Sequence, residues 1–130
     1  SAKREEVVAV ITVSTLGAWY GAYLAKIFFA LPRPFEKLSD VHSFFVPDGS
    51  AFPSTHATAL FSFATALYFY DKRLGIVAYS VAVLTGVARI VAGVHWPSDI
   101  LAGALLGILF ALVTFRLITR LLKKRENARV

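Results

Sequence analysis

The run VVAVITVSTLGAWYGAYLAKIFFAL, residues 7–31, carries a single charged side chain, Lys26, and decides how the rest of the chain is read. About 20 apolar residues in a helix cross a hydrocarbon core of ~30 Å, and this run is long enough. Three further apolar stretches follow, Ala57 to Tyr70, Leu74 to Val94 and Ile100 to Leu122, each bounded by charged or turn-forming residues. The second reaches spanning length only if its helix begins near Pro53. Hydrophobic residues make up 57% of the 130-residue chain, far above an ordinary soluble domain, so the expected solvent is lipid. The sequence therefore predicts an all-α, polytopic membrane bundle of about four transmembrane helices, forming one domain over residues 1–130. The segment from Pro32 to Ser54, rich in Pro, Ser, Asp and Phe, breaks helical continuity and is expected as an outer loop between the first and second helices.

Charge narrows the classes. The net charge of +6 does not form the basic face of a nucleic-acid binder, because Lys and Arg sit at the ends of apolar runs. Lys3 and Arg4, Lys72 and Arg73, and Arg120, Lys123, Lys124, Arg125 and Arg129 all fall on one side. The positive-inside rule makes that side cytoplasmic, which leaves both termini and a tail over 123–130 in the cytoplasm and the loop from Pro32 outside. No small-residue cleavage site ends the first run, so it is expected to remain in the mature chain. The absence of cysteine excludes disulfides and thiolate metal sites. Gly17 and Gly21, and Gly103 and Gly107, have the four-residue spacing that lets membrane helices approach closely.

Three polar clusters interrupt this apolar pattern, and on the predicted topology all reach the outer boundary. Lys26 and Arg33, the latter followed by Pro34, read either as snorkelling cations or as an anion clamp of a point charge and a planar fork. Pro53, Ser54, Thr55 and His56 read either as a simple helix cap or as a helix N-terminus that cradles an anion beside a histidine. Arg89, His95 and Asp99 read either as dipole-complementing charges around Pro97 or as a catalytic set. The four-residue step from His95 to Asp99 places a carboxylate against one imidazole nitrogen and leaves the other free. Convergence of the three favours chemistry over three independent structural explanations.

In this order and spacing, Lys26 to Arg33-Pro34, PSTH at 53–56, and Arg89 to His95 to Asp99 resemble the type 2 phosphatidic acid phosphatase superfamily, over roughly Lys26 to Gly107. The stretches RPFE at 33–36, DGSAFPSTHAT at 48–58 and ARIVAGVHWPSDILAG at 88–103 are most similar to bacterial undecaprenyl-diphosphatases. Thr55 stands where the family commonly has Gly, and Ala88 where it commonly has Ser. Membrane members usually have six spanning helices; four here implies a minimal member, a fragment, or a unit completed by a missing helix pair or by homo-oligomerisation.

The resemblance implies a membrane phosphatase domain with core motifs within 26–99. It implies that His95 attacks phosphorus, that Asp99 holds its tautomer, and that His56 protonates the leaving oxygen and then activates water. Lys26, Arg33, Arg89, Ser54 and the backbone of Thr55 and His56 would hold the phosphate oxygens. The implied partners are an amphiphilic lipid phosphate or diphosphate and the surrounding membrane lipids, with no nucleic acid. Undecaprenyl diphosphate leads, and phosphatidylglycerophosphate or phosphatidate is the alternative. A noncatalytic binder of anions or headgroups is the alternative of another class, and it has no need of both histidines. No cofactor and no metal are expected: a zinc site of His42, His56 and His95 would be opposed by the cations. His42 reads as a loop residue and Asp48 as a turn former beside Gly49. Phe35, Phe44, Phe45, Phe52 and Trp96 fit either a substrate entrance or an ordinary interfacial aromatic belt.

Overall fold

A computed structural model describes residues 1–47 and 49–129; the turn expected at Asp48 lies outside them. The described residues form helices and loops without a strand: α1 Ala2–Phe28, α2 Pro34–Lys37, α3 Thr55–Tyr68, α4 Lys72–Val91 and α5 Pro97–Ala128. The helix starts follow local chemistry. The Ser54 hydroxyl accepts the Ala57 N–H at 3.3 Å and opens α3. The Asp71 carboxylate accepts the Arg73 and Leu74 N–H groups at 2.9 and 3.0 Å and opens α4 after a three-residue turn. At α5, Pro97 occupies the first turn, where its missing N–H removes no helical bond, and the Asp99 carboxylate accepts the Trp96 N–H at 2.7 Å. Gly93, with φ +75, ends the turn after α4 in the left-handed region. A side chain there would be strained, and its Cβ would lie 2.7 Å from Val41 Cγ1.

Helix α3 occupies the centre and packs against α1, α4 and α5, while α1 also packs on α5. Its buried face is built from small residues, Ala57, Thr58, Ser62, Ala64, Thr65 and Ala66. Across from them lie Gly103 and Gly107: a Cβ at Gly103 would sit 2.8 Å from the Ser54 carbonyl oxygen, and one at Gly107 2.9 Å from the Ser62 nitrogen. These two glycines thus let the α5 backbone touch α3. Gly21 serves differently, making room for the Phe110 ring, whose Cζ a Cβ would meet at 2.8 Å. The large apolar side chains point outward, among them Leu101, Leu105, Leu109, Val113, Leu117 and Leu121 along α5. A small-residue core with a leucine-rich exterior is the arrangement expected when the solvent is hydrocarbon.

Three of the four expected spans, α1, α4 and α5, are long and apolar enough to cross a membrane. The second apolar run forms a shorter helix than spanning requires. Its helix starts at Thr55, directly after the Ser54 cap that follows Pro53, and ends at Tyr68, and its 14 residues rise only about 21 Å. Ser54 caps it at one end and the turn to Asp71 stops it at the other, so it sits inside the bundle as a short central post. Helix α5 instead runs past Leu122 to Ala128, because Lys123, Lys124, Arg125 and Glu126 are good helix formers and the cations complement the C-terminal dipole.

Candidate active site

At one end of the bundle, the last turns of α1 and α4, the start of α3 and the turn before α5 surround a cavity of about 560 Å³. Six of the eight residues singled out from the sequence behave as a group. Lys26, Arg33, Thr55, His56, Arg89 and His95 all line the cavity, while Ser54 and Asp99 lie buried behind it. No carboxylate lines it among the described residues, so three cationic side chains set its potential and favour an anion.

His95 is 2% exposed and its two ring nitrogens have different neighbours. Nδ1 lies 3.3 Å from Asp99 Oδ2, and Nε2 lies 3.4 Å from Arg33 Nη1. Both contacts are satisfied by one tautomer, in which Nδ1–H donates to the carboxylate and Nε2 presents its lone pair on the cavity side. The same Asp99 oxygen accepts the Trp96 N–H, and Asp99's own carbonyl accepts the Ser54 N–H at 3.2 Å. The starts of α3 and α5 are therefore locked together through the residue that orients His95. Burial pushes the His95 imidazole below its ordinary value; the Asp99 hydrogen bond opposes this, and the positive charges of Arg33, Arg89 and Lys26 add to it.

The cations are positioned by the loop. Lys26 Nζ donates to the Ser50 carbonyl at 2.7 Å, and Arg33 Nη2 reaches the same oxygen at 3.3 Å. Arg33 Nη1 also donates to the Val94 carbonyl at 2.8 Å, and the Arg33 guanidinium is almost wholly buried. Arg89 differs: its buried Nε has no hydrogen-bond partner, and its guanidinium lies 5.6 Å from the centre of the Phe45 ring. Ser54 is not among the residues lining the cavity; its fully buried hydroxyl accepts the Ala57 N–H as the α3 cap. His42 is exposed and off the cavity, and among the described residues no group of three or more His, Asp or Glu is placed to hold a metal ion.

Two features were not singled out from the sequence. Glu36 accepts the Arg33 N–H at 2.6 Å, fixing the backbone that carries the guanidinium. Its position three residues after Arg33, with Pro34 between, is the signal of a capping box. Trp19, Tyr23 and Ile27 form an apolar wall of the cavity. Their spacing of four marks one helical face, but in a run that is apolar on every side that face does not stand out.

The chain is 33% identical over 110 residues to the bacitracin transport permease protein BcrC of Bacillus licheniformis, covering 84% of this chain and 52% of that protein. It is 32% identical over 96 residues to the undecaprenyl-diphosphatase BcrC of Bacillus subtilis, covering 72% of this chain and 49% of that one. It thus spans about half the length of these relatives. The crystal structure of Aquifex aeolicus LpxE matches with a TM-score of 0.80 at 32% identity, over 87% of this chain and 69% of LpxE. The profile of the PAP2 superfamily matches residues 7–123, a range that takes in every residue lining the cavity. The chain belongs to the PAP2 superfamily.

Proposed function

We propose that this chain hydrolyses a phosphate from a membrane lipid phosphate or diphosphate, undecaprenyl diphosphate first among them, through a phosphohistidine on His95. The observation that carries the reading is the placement of His95, with one nitrogen against the Asp99 carboxylate and the other beside a cavity of three cations. In the first step, His95 Nε2 forms a bond to the terminal phosphorus as the bond from phosphorus to the leaving oxygen breaks. His56 gives that oxygen a proton. Asp99 stabilises the imidazolium character that develops on His95. In the second step His56 takes a proton from water, the water oxygen bonds to phosphorus, the N–P bond breaks, and inorganic phosphate leaves.

Lys26, Arg33 and Arg89 stabilise charge on the equatorial oxygens, assisted by the backbone N–H groups of Thr55 and His56 at the start of α3. Ser54 acts through the cap that fixes that turn. Arg89 has spare donor capacity for a phosphate, since its Nε is unpartnered. The basic residues at the starts of α1 and α4 and the end of α5 support a cytoplasmic placement of the opposite end, with the cavity facing outward. The two histidines speak for turnover over simple anion binding. Similarity to the Bacillus subtilis undecaprenyl-diphosphatase supports the choice of lipid.

The test is phosphate release in detergent with chelator present, comparing undecaprenyl diphosphate, phosphatidylglycerophosphate and phosphatidate, with His95→Ala as control. Release that is fastest from undecaprenyl diphosphate and absent in the variant is expected. Equal or faster release from the glycerophospholipids would overturn the choice of lipid, and full release by His95→Ala would overturn the mechanism.

A further inference from the structure

The cavity has one wall that phosphate chemistry does not use. Trp19, Tyr23 and Ile27 succeed one another at intervals of four on α1, and the Trp19 and Tyr23 rings stack at 5.8 Å with planes 12° apart. Side chains at this spacing share one face of the helix. Trp19 and Tyr23 precede Lys26 by seven and three residues, so they lie about 10 and 5 Å deeper along the helix, given a rise of 1.5 Å per residue. That is below the headgroup level at which interfacial aromatics anchor. The opposite side of the cavity is Arg89 on α4, and its inner side is the start of α3 with His56. Among the described residues, helices α1 and α4 each pack closely on α3 and not on each other. About two turns below His56, on the same face of α3, Phe63 is 37% exposed. The cavity thus reaches from the cations along α1 as far as Trp19, with the start of α3 on its inner side.

We infer that the tail of the lipid phosphate lies along Trp19 and Tyr23 in this cleft, and that these two rings select for a long apolar tail while contributing nothing to phosphoryl transfer itself. The inference rests on the reading of the cavity as a lipid phosphatase site. A linear hydrocarbon chain fits it for two reasons. The phosphate end is fixed by Lys26, Arg33 and Arg89, and a flat stacked pair of rings offers a rigid contact surface with little rotamer entropy to lose. Binding energy from a part of the substrate remote from the reacting bond appears in KM when it is equal in ground and transition states.

The test pairs two diphosphates with the same reacting group, undecaprenyl diphosphate and the five-carbon isopentenyl diphosphate, and measures both with the intact chain, Trp19→Ala, Tyr23→Ala, Trp19→Phe and Leu109→Ala. Leu109 is an exposed residue of α5 away from the cavity and serves as the lipid-facing control. Each alanine variant on α1 is expected to raise KM for the long substrate about tenfold with kcat unchanged, as loss of one large apolar contact does. Turnover of the short substrate stays as it was, Trp19→Phe keeps most of the affinity, and Leu109→Ala changes nothing. Equal losses on both substrates, or no loss on the long one, would overturn the inference. A farnesyl diphosphate carrying a diazirine in its tail supplies a readout independent of turnover. Crosslinks within residues 16–27 are expected in both the intact chain and His95→Ala, whereas crosslinks spread over the outer face of α5 would overturn the cleft. If the intact chain turns over neither substrate, the phosphatase reading fails, and the crosslink position still decides where the tail lies.

Discussion

Replacing Asp99 by Asn separates the charge of this residue from its shape. Asp99 Oδ2 accepts from His95 Nδ1 at 3.3 Å and from the Trp96 N–H at 2.7 Å, and the side chain is 2% exposed. An asparagine oxygen in the same place keeps both acceptor contacts, so the turn before α5 and the His95 tautomer survive. What is lost is the attraction between a carboxylate and the positive charge that His95 develops as its Nε2 bonds to phosphorus. At 3.3 Å and an effective dielectric of about 20, that attraction is ~5 kcal/mol before the offsetting loss of hydration. Retaining a neutral hydrogen bond recovers part of it, which leaves roughly 3 to 4 kcal/mol, or about a hundredfold to a thousandfold in kcat. Single-turnover phosphate release should show this fall, with substrate affinity and thermal unfolding temperature nearly unchanged. Asp99→Ala should do worse on stability, because it strands the Trp96 N–H and removes the cap, at about 1 to 3 kcal/mol. An Asp99→Asn protein that keeps activity within threefold of the parent would refute the assignment of charge stabilisation to Asp99.

The pH dependence has a definite sign. Burial holds the folded-state value of His95 below the ordinary 6.5, so neutral His95 contributes stability that is fully present above pH 6.5 and is lost as pH falls through the folded value. Thermal unfolding between pH 8 and 5 should show this loss in the parent and a smaller one in His95→Gln, and a parent that gains stability on acidification relative to the variant would contradict it. Gly107→Ala should destabilise by about 1 to 3 kcal/mol, because the new Cβ meets the Thr58 and Ser62 backbone, which cannot rotate away. Gly17→Ala should be tolerated, since its Cβ would meet only the Phe110 ring at an ordinary 3.7 Å. Unfolding of the two variants in the same detergent distinguishes them, and equal effects would refute the close α3–α5 approach. Ser54→Ala should lower stability by about 1 kcal/mol through the lost cap. A change of more than tenfold in KM at unchanged stability would place its hydroxyl on the phosphate instead.

The polar clusters were legible because charges are conspicuous in an apolar chain and each cluster sits at a helix end. Their convergence followed from topology, since alternate connections of an antiparallel bundle lie on the same side. The length of α3 was not legible: Ala57 to Tyr70 reads as apolar whether the helix crosses the bilayer or ends inside the bundle, and only Ser54 and Asp71 fix its limits. The burial of Ser54 was hidden for a similar reason, because a capping serine and a phosphate-binding serine have the same sequence position. The wall of Trp19, Tyr23 and Ile27 was invisible because hydrophobic periodicity vanishes when both core and solvent are apolar. Gly103 and Gly107 stood out by spacing alone, and the close backbone contact they permit became clear only with α3 placed opposite them.

The central claim is that His95 carries the phosphoryl group. Rapid mixing of the protein with undecaprenyl diphosphate labelled in its terminal phosphate, followed by alkaline quench and peptide mapping, tests it directly. The account predicts an acid-labile, base-stable label on the peptide that contains His95, formed and lost at rates that match turnover and absent from His95→Ala. Turnover by the intact protein with no labelled histidine at any time, or a label on His56 instead, would contradict it.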